Sequence, residues 1–563
     1  MGKRGGGKGG GRGRGGAVKV GAGEVGAGEA GAGDPGKGDS GGGSKGGGYG
    51  RGKGGGRRGA EGVKAPIRLE TVFGRETGES ILSLKADAGR PLSRVKGSFE
   101  AGEGYHLLAY PCHREGSDCP VIDIPLRPTW SEDMTSDALN AQEATSFNAW
   151  LSGIYSKFPL EDLNYFEHNL EVWRQVWRTA FERADIVVIV LDARIPLFHF
   201  SAAVFKHVQE TLEKDVVLVL NKTDLVPPAS TELWRDYFHR HCPGVRMVPF
   251  CVPKSGSAHV EQLPCVADLL AALKSCTILR EGRRIPAEPF FAGAREENPA
   301  AAPERTSDEF ITVVLQGDPN MGKSSVINAV FGRKLVSSSI TPGHTKHFQT
   351  LFLNRGVCFC DSPGVVCPKL SVPKPLQVLF GSYRIAQVRE PYHIIRFMAE
   401  RCLPPLPDLL KIAGFRDRDA DQSEPWSPLS ICEAFARKKG FFRRGGRPDP
   451  HRAANRLLTS ALNGFDGLAL CFAPPGVDAA VVRAAAAVSL PRPTWMVSRD
   501  ASDDHGSADD ADEQPEAEEE EEAEDSSDAQ EAEAAKATAP AAKSRNAFAA
   551  LDSSESGSEA SEA

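Results

Sequence analysis

Two stretches of the chain are apolar without interruption, Ile186-Val187-Val188-Ile189-Val190-Leu191 and Val216 to Leu220, and a third, Phe310 to Leu315, is broken only by Thr312. Runs of strand length with no polar alternation read as parallel strands buried on both faces. Shorter strand-like runs lie at 245–250 and 356–360. Helical spacing occurs between them. Phe166, Leu170, Trp173, Trp177 and Phe181 recur every three or four residues, which predicts one helix over 164–183. Its tryptophans read as burial against a sheet rather than as a ligand platform. Residues 200–213 and 325–331 also read as helices. Alternating strands and helices predict an α/β fold with a doubly wound, mainly parallel sheet. Residues 376–470 carry helical patterns broken by Pro-rich pieces and predict a small, mostly α-helical domain.

Composition changes the picture at the ends. Of the 59 glycines, 30 fall in residues 1–60, where 12 Lys/Arg face 4 Asp/Glu, a net of +8. Residues 500–563 hold 22 Asp/Glu against 3 Lys/Arg, a net of −19. The middle is nearly neutral, at +3. Neither end has apolar surface enough to offset the entropy of ordering, so both read as disordered tails. No apolar run is long enough to span a membrane, and no apolar segment follows the basic start as in a secretory signal. Twelve scattered cysteines suit free thiols in a reducing compartment. Cys112-His113 with Cys119 lacks a partner pair for a metal site, and isolated thiols are the default there. The expected organisation is a basic Gly/Arg-rich tail over 1–60, a partly ordered segment over 61–160, and the α/β domain over 161–370, with a linker near 281–308. The helical domain follows over 371–475 and the acidic tail over 476–563.

The chemistry is carried by three short motifs. Gly317-Asp318-Pro319-Asn320-Met321-Gly322-Lys323-Ser324 fits G-x-x-x-x-G-K-[ST] between a predicted strand and a predicted helix that begins near Ser325. Its backbone N–H groups and the helix N-terminus suit phosphate oxygens. Lys323 suits the β and γ phosphates, and the Ser324 hydroxyl suits Mg²⁺. Asp361-Ser362-Pro363-Gly364 ends the strand-like run at 356–360; its carboxylate can hold Mg²⁺ through water, and the Gly364 N–H can sense a γ-phosphate. Between these motifs, Thr341-Pro342-Gly343-His344-Thr345 is a polar loop of the kind that closes over Mg²⁺, with Thr345 favoured over Thr341. Asn221-Lys222-Thr223-Asp224 follows an apolar strand and suits a guanine base. The Asp224 carboxylate can accept from guanine N1–H and the exocyclic amine, whereas adenine would leave it unpaired. Lys222 can lie along the base plane. Cys251-Val252-Pro253-Lys254-Ser255 holds the position of a second base-contacting loop without its usual sequence.

The motif order is inverted, because Asn221–Asp224 precedes Gly317. A sheet can nevertheless bring the two together if the chain enters it at a different strand, so the motifs predict a circularly permuted GTPase domain. The switch residues 341–366 would then lead straight into the helical domain. Val365 stands where a water-orienting glutamine would be expected, and a valine cannot orient water.

Several segments together resemble the circularly permuted GTPases of the YlqF/YawG type: Asp192-Ala193-Arg194-Ile195-Pro196, Asn221–Asp224, the loop through Lys323-Ser324-Ser325, Thr341–Lys346 and Asp361–Gly364. Tyr165–Glu171, Thr341–Thr350 and Ile431-Cys432-Glu433-Ala434 resemble the guanine nucleotide-binding protein-like 1 branch more narrowly. The resemblance spans roughly residues 120–475. It implies slow, Mg²⁺-dependent hydrolysis of GTP to GDP and phosphate, and a role in ribosome assembly with a ribosomal subunit or pre-ribosomal particle as partner. It also implies a K⁺ ion at Asn320. The catalytic set is then Lys323, Thr345 and Gly364, with Ser324, Thr345 and Asp361 for Mg²⁺. Composition adds that a basic tail suits RNA and an acidic tail suits basic proteins. A nuclear, nucleolar or cytoplasmic site fits, nuclear being slightly favoured. The alternatives are a GTP-binding scaffold in which hydrolysis is not essential and, disfavoured by Asp224, an ATPase.

Overall fold

The computed structural model describes residues 73, 78–93, 105–108, 121–252, 263–296, 298–300, 309–337, 348–402, 404–417, 424–465, 467–478 and 481. The expected basic tail, the expected acidic tail apart from residues 476–478 and 481, the metal reading at Cys112, His113 and Cys119, and the switch loop 341–347 lie outside these residues.

Among the described residues there are ten strands: β1 (Tyr105–Leu108), β2 (Ile186–Asp192), β3 (Asp215–Asn221), β4 (Arg246–Pro249), β5 (Thr277–Arg280), β6 (Arg283–Pro286), β7 (Ile311–Gln316), β8 (Gln349–Asn354), β9 (Val357–Asp361) and β10 (Ala469–Phe472). Six form the main sheet in the order β4-β3-β2-β7-β9-β8. All neighbours run parallel except β8, which is antiparallel to β9. All seven residues of β2 are buried. Val187, Ile189 and Leu191 point into a layer with Trp173, Trp177 and Trp234, while Ile186, Val188 and Val190 point into the opposite layer with Leu269, Val326 and Phe359. The sheet is therefore covered on both faces, which is why its strands show no polar alternation.

Register places the functional ends together. Asp192 is opposite Asn221, and Leu315 is opposite Asp361. The C-terminal ends of β2, β3, β7 and β9 thus share one edge of the sheet, where open α/β sheets bind ligands.

The predicted helix over 164–183 differs from what forms. The helix is Leu170–Val176, continued by a π-helical turn at Trp177–Arg183. Asn169 caps it by accepting from the Glu171 N–H at 3.0 Å. Residues 163–167 are instead tied to the segment after Gly364: Asn164 Nδ2 donates to Cys367 O at 3.0 Å, and the Glu167 N–H donates to Val366 O at 3.0 Å. Phe166 is buried without being helical. Part of the stretch read as a linker also differs, since β6 lies within 281–308 and pairs antiparallel with β5.

The helical domain packs Pro428–Lys439 and Pro450–Asn463 with Tyr392–Ala399 around Ile395, Phe435 and Leu457. It is not wholly helical. Its last element is β10, which pairs parallel with β1. Leu470 and Phe472 of β10 face the helical core, while Ala469 and Cys471 face the tryptophan layer of the α/β domain. Trp234 Nε1 donates to Phe472 O at 2.8 Å, and the Phe472 N–H donates to Arg194 O at 2.8 Å. Residues 78–93 lie against this domain: the Leu92 N–H donates to Trp426 O, and Arg396 donates to Asp87 O. No helix among the described residues is long and apolar enough to cross a membrane.

Candidate functional site

The phosphate-loop segment runs from β7 into the helix Lys323–Phe331. Two of its glycines are required by contact. A Cβ on Gly317 would sit 2.5 Å from Val190 O, and one on Gly322 would collide with Asn221 Nδ2. Both have positive φ, +145° and +91°, as does Asn320 at +63°. Lys323 is buried and folds back over the loop, its Nζ donating to Gly317 O at 3.0 Å and to Asp318 O at 2.9 Å. Burial pushes its ammonium down to about 8 against the opposing pull of Asp361 and Asp318.

Ser324 Oγ donates to Asp361 Oδ2 at 2.7 Å. A hydroxyl and a carboxylate at that separation form a hard oxygen pair of the kind Mg²⁺ takes, so the residues fit such an ion. Gly364 lies directly over the loop; a Cβ there would be 2.6 Å from Pro319 N and 2.7 Å from Pro319 Cα. The Val365 N–H donates to Gly317 O at 3.3 Å, and its side chain is buried in the tryptophan layer. Ser325 is half-buried at the helix start, and Met321 is fully buried in the opposite layer.

A hydrogen bond joins Asn221–Asp224 to the phosphate loop: Asn221 Nδ2 donates to Met321 O at 2.7 Å. Lys222, at φ +64°, sends its Nζ to Asp192 Oδ2 at 3.0 Å. Asp192 also accepts two side-chain hydrogen bonds from Arg194, at 3.0 and 2.8 Å. Burial alone would raise the Asp192 carboxyl, but Arg194 and Lys222 outweigh it and hold the group far below the usual carboxylate range. Arg194 is itself fully buried, donates to Ala461 O at 3.0 Å and lies 4.7 Å from the Phe380 ring centroid.

The second base-loop candidate is brought to the same place. The Phe250 N–H donates to Leu220 O, and the Thr223 N–H donates to Phe250 O. The Cys251 thiol is pushed up to about 12 by burial and by its neighbour Asp224. Pro253, Lys254 and Ser255 lie outside the described residues, as does Thr345. Thr341 lies outside them too; the other nucleotide and metal candidates, from Asn221 to Gly364, lie at the one sheet edge.

Three contributors gave no signal in the sequence. His199 Nδ1 lies 3.0 Å from Asp318 Oδ2, and Ser382 Oγ donates to the same oxygen at 3.0 Å. Burial holds the His199 imidazole below its ordinary value against the opposing pull of Asp318. Gly381, at φ +82°, allows the Asn320 side chain to approach: a Cβ there would be 2.8 Å from Asn320 Nδ2. The helical domain therefore touches the phosphate loop at two adjacent residues. Nothing in local pattern marks such pairings, because they join residues far apart in sequence.

Residues 312–399 match the family model of the 50S ribosome-binding GTPase. The chain is 36% identical over 458 residues to guanine nucleotide-binding protein-like 1 of Macaca fascicularis, covering 73% of each chain. It is 31% identical over 411 residues to GTPase LSG1-1 of Arabidopsis thaliana, covering 69% of this chain and 75% of that protein. The crystal structure of GNP-bound YlqF from T. maritima aligns with a TM-score of 0.32 at 21% identity, over 52% of this chain and 94% of that one.

Proposed function

The chain belongs to the guanine nucleotide-binding protein-like 1 family, and from that membership we propose that it binds GTP and hydrolyses it slowly to GDP and phosphate. In this reading it is a conformational switch in ribosome biogenesis or another RNA–protein assembly step, with a ribosomal or pre-ribosomal particle as partner. The observation that carries the nucleotide reading is the 2.7 Å bond from Asn221 to Met321. It joins a guanine-reading motif to a phosphate loop that follows it in sequence.

The proposed roles are these. The backbone N–H groups from Asp318 to Ser325 take the phosphates, and Lys323 supplies the cation beside them. Asp224 accepts from the guanine edge, and Lys222, braced by Asp192, lies along the base. Ser324, Asp361 and Thr345 would hold Mg²⁺, Asp361 through water. When bound, the ion neutralises charge on the phosphate oxygens. Gly364 N–H reports the γ-phosphate, and Asn320 offers an oxygen donor of the type K⁺ takes. Equal GTPase rates in KCl and NaCl would overturn the K⁺ role.

The buried Val365 supports a second reading. Its side chain cannot orient water, so hydrolysis needs another group or a partner, or is dispensable in a GTP-binding scaffold. Thr345→Ala, if it still binds GTP, separates the two: full function in that variant removes the catalytic reading. Competition of labelled GTP by excess ATP tests base selectivity, and effective competition would overturn the role of Asp224. Sedimentation through sucrose with a GTP analogue or with GDP tests the assembly role. Co-migration with a ribosomal subunit in one nucleotide state is expected; absence in both removes the ribosome and leaves the GTPase.

A further inference from the structure

Residues 437–456 contain eight Lys/Arg and one acidic residue, Asp449, a net of +7. They comprise the turn 440–449 between two long helices of the helical domain and the helix ends that flank it. Pro428–Lys439 ends at Gly440 with φ +72°, and Pro450–Asn463 begins at the Asp449 cap. The turn between them is tight. The Arg443 N–H donates to Arg447 O at 2.8 Å, the Gly446 N–H donates to Arg443 O at 3.1 Å, and Gly445 and Gly446 adopt φ of +91° and +75°.

The two phenylalanines of the turn part company. Phe441 packs against the helical core beneath the Arg452 guanidinium, 4.8 Å from its ring centroid. Phe442 is 52% exposed. Some cations have work in the fold: Arg437 pairs with Asp417, Arg443 pairs with Asp449, and Lys438 donates to Leu410 O. Arg444, Arg447 and Arg456 make no ion pair or side-chain hydrogen bond among the described residues. Like charges crowded on one turn repel, and a bare aromatic ring among them gains nothing from water. The partner that satisfies both features is a polyanion with flat apolar faces. An acidic protein segment would answer the charge but not the ring, and a duplex keeps its base faces inside the stack.

We propose that this turn binds unpaired RNA, with Arg444, Arg447, Arg452 and Arg456 on the phosphates and Phe442 stacked on a base. RNA rather than DNA follows from the assembly role proposed above, on which this inference rests. The site lies outside residues 1–60, whose Gly/Arg composition is a separate candidate for RNA contact.

The test measures anisotropy of a fluorescein-labelled single-stranded RNA with the full chain, as a function of salt. Phe442→Ala is expected to weaken binding roughly five- to a hundredfold without changing the salt slope, because stacking is not ionic. Arg444→Glu with Arg447→Glu is expected to lower the slope of log K against log salt by about 1.4, about 0.7 for each phosphate no longer neutralised. Unchanged GDP affinity and melting temperature show that these exposed substitutions leave the fold intact. Crosslinking with 4-thiouridine RNA should label the peptide carrying Phe442. Crosslinks confined to residues 1–60, with unchanged affinity in both variants, overturn the proposal. So does an unaffected Phe442→Ala combined with tight binding of polyglutamate, which assigns the turn to an acidic protein segment. Failure here leaves subunit sedimentation untouched, and failure of sedimentation leaves this measurement standing.

Discussion

Ser382 donates its hydroxyl to Asp318 at 3.0 Å, so a residue of the helical domain holds a residue of the phosphate loop directly. His199 Nδ1 lies 3.0 Å from the same carboxylate oxygen. A hydrogen bond to a charged group contributes about 1.5–3 kcal/mol. Ser382→Ala is therefore expected to loosen the loop and to speed release of a fluorescent GDP analogue about tenfold in stopped-flow. An unchanged release rate would mean that His199 alone fixes Asp318.

Gly364 is constrained by space. Its missing side chain lies 2.6 Å from the Pro319 backbone, which no rotamer change can move aside. Gly364→Ala is expected to push the loop out of register and to weaken GDP at least tenfold by calorimetry, with a smaller loss in melting temperature. Gly414, whose Cβ would meet nothing within 4 Å, is the control position, and alanine there should leave affinity unchanged.

Arg194 sits at a buried junction: it pairs with Asp192, donates to Ala461 O and stacks on Phe380. Removing one partner of a buried pair leaves the other charge poorly compensated, at a cost of about 3–5 kcal/mol. Lys222 remains beside Asp192 and softens the loss. Arg194→Ala is expected to lower the unfolding free energy from urea titration by an amount near the bottom of that range. A change below about 1 kcal/mol would show that Lys222 suffices.

The pH dependence of nucleotide affinity has a definite sign. Lys323 holds its proton weakly in the free protein, with a value near 8, and phosphate beside it favours the charged form. Below pH 8 the lysine is already protonated, and affinity does not vary through this group. Above pH 8 binding must take up a proton, so affinity falls, by up to tenfold per pH unit. GDP titrations across pH 7 to 9 should show this bend in the wild type. Lys323→Arg, whose guanidinium stays charged, should show none near pH 8.

Much of the sheet was legible because the interiors of β2, β3 and β7 are buried on both faces, so apolar residues dominate them without polar alternation, Thr312 of β7 being the one interior polar residue. The phosphate loop and Asn221–Asp224 were legible because their chemistry is local. The sheet order β4-β3-β2-β7-β9-β8 bears out the permuted arrangement that the inverted motifs implied. What pattern alone did not reveal is long-range. Phe166 keeps helical spacing but is drawn away by Asn164 and Glu167, which bond to Cys367 and Val366. β1 and β10 are short strands whose pairing joins residues more than three hundred positions apart. His199 and Ser382 look ordinary until folding brings both to Asp318. The second base loop lacks its usual sequence, yet Cys251 arrives beside Asp224 because β4 pairs with β3.

The sheet order also sets a timetable for synthesis. β2 and β3 leave the ribosome first, yet the strand that covers the other side of β2 begins only at Ile311. At about 5–20 residues per second, the edge of β2 waits roughly 6–24 s for β7. During that interval Ile186, Val187, Val188 and Ile189 present an uncovered, wholly apolar edge, a template for pairing with another chain. A nascent protein of this order has reason to meet a chaperone before it can meet a nucleotide.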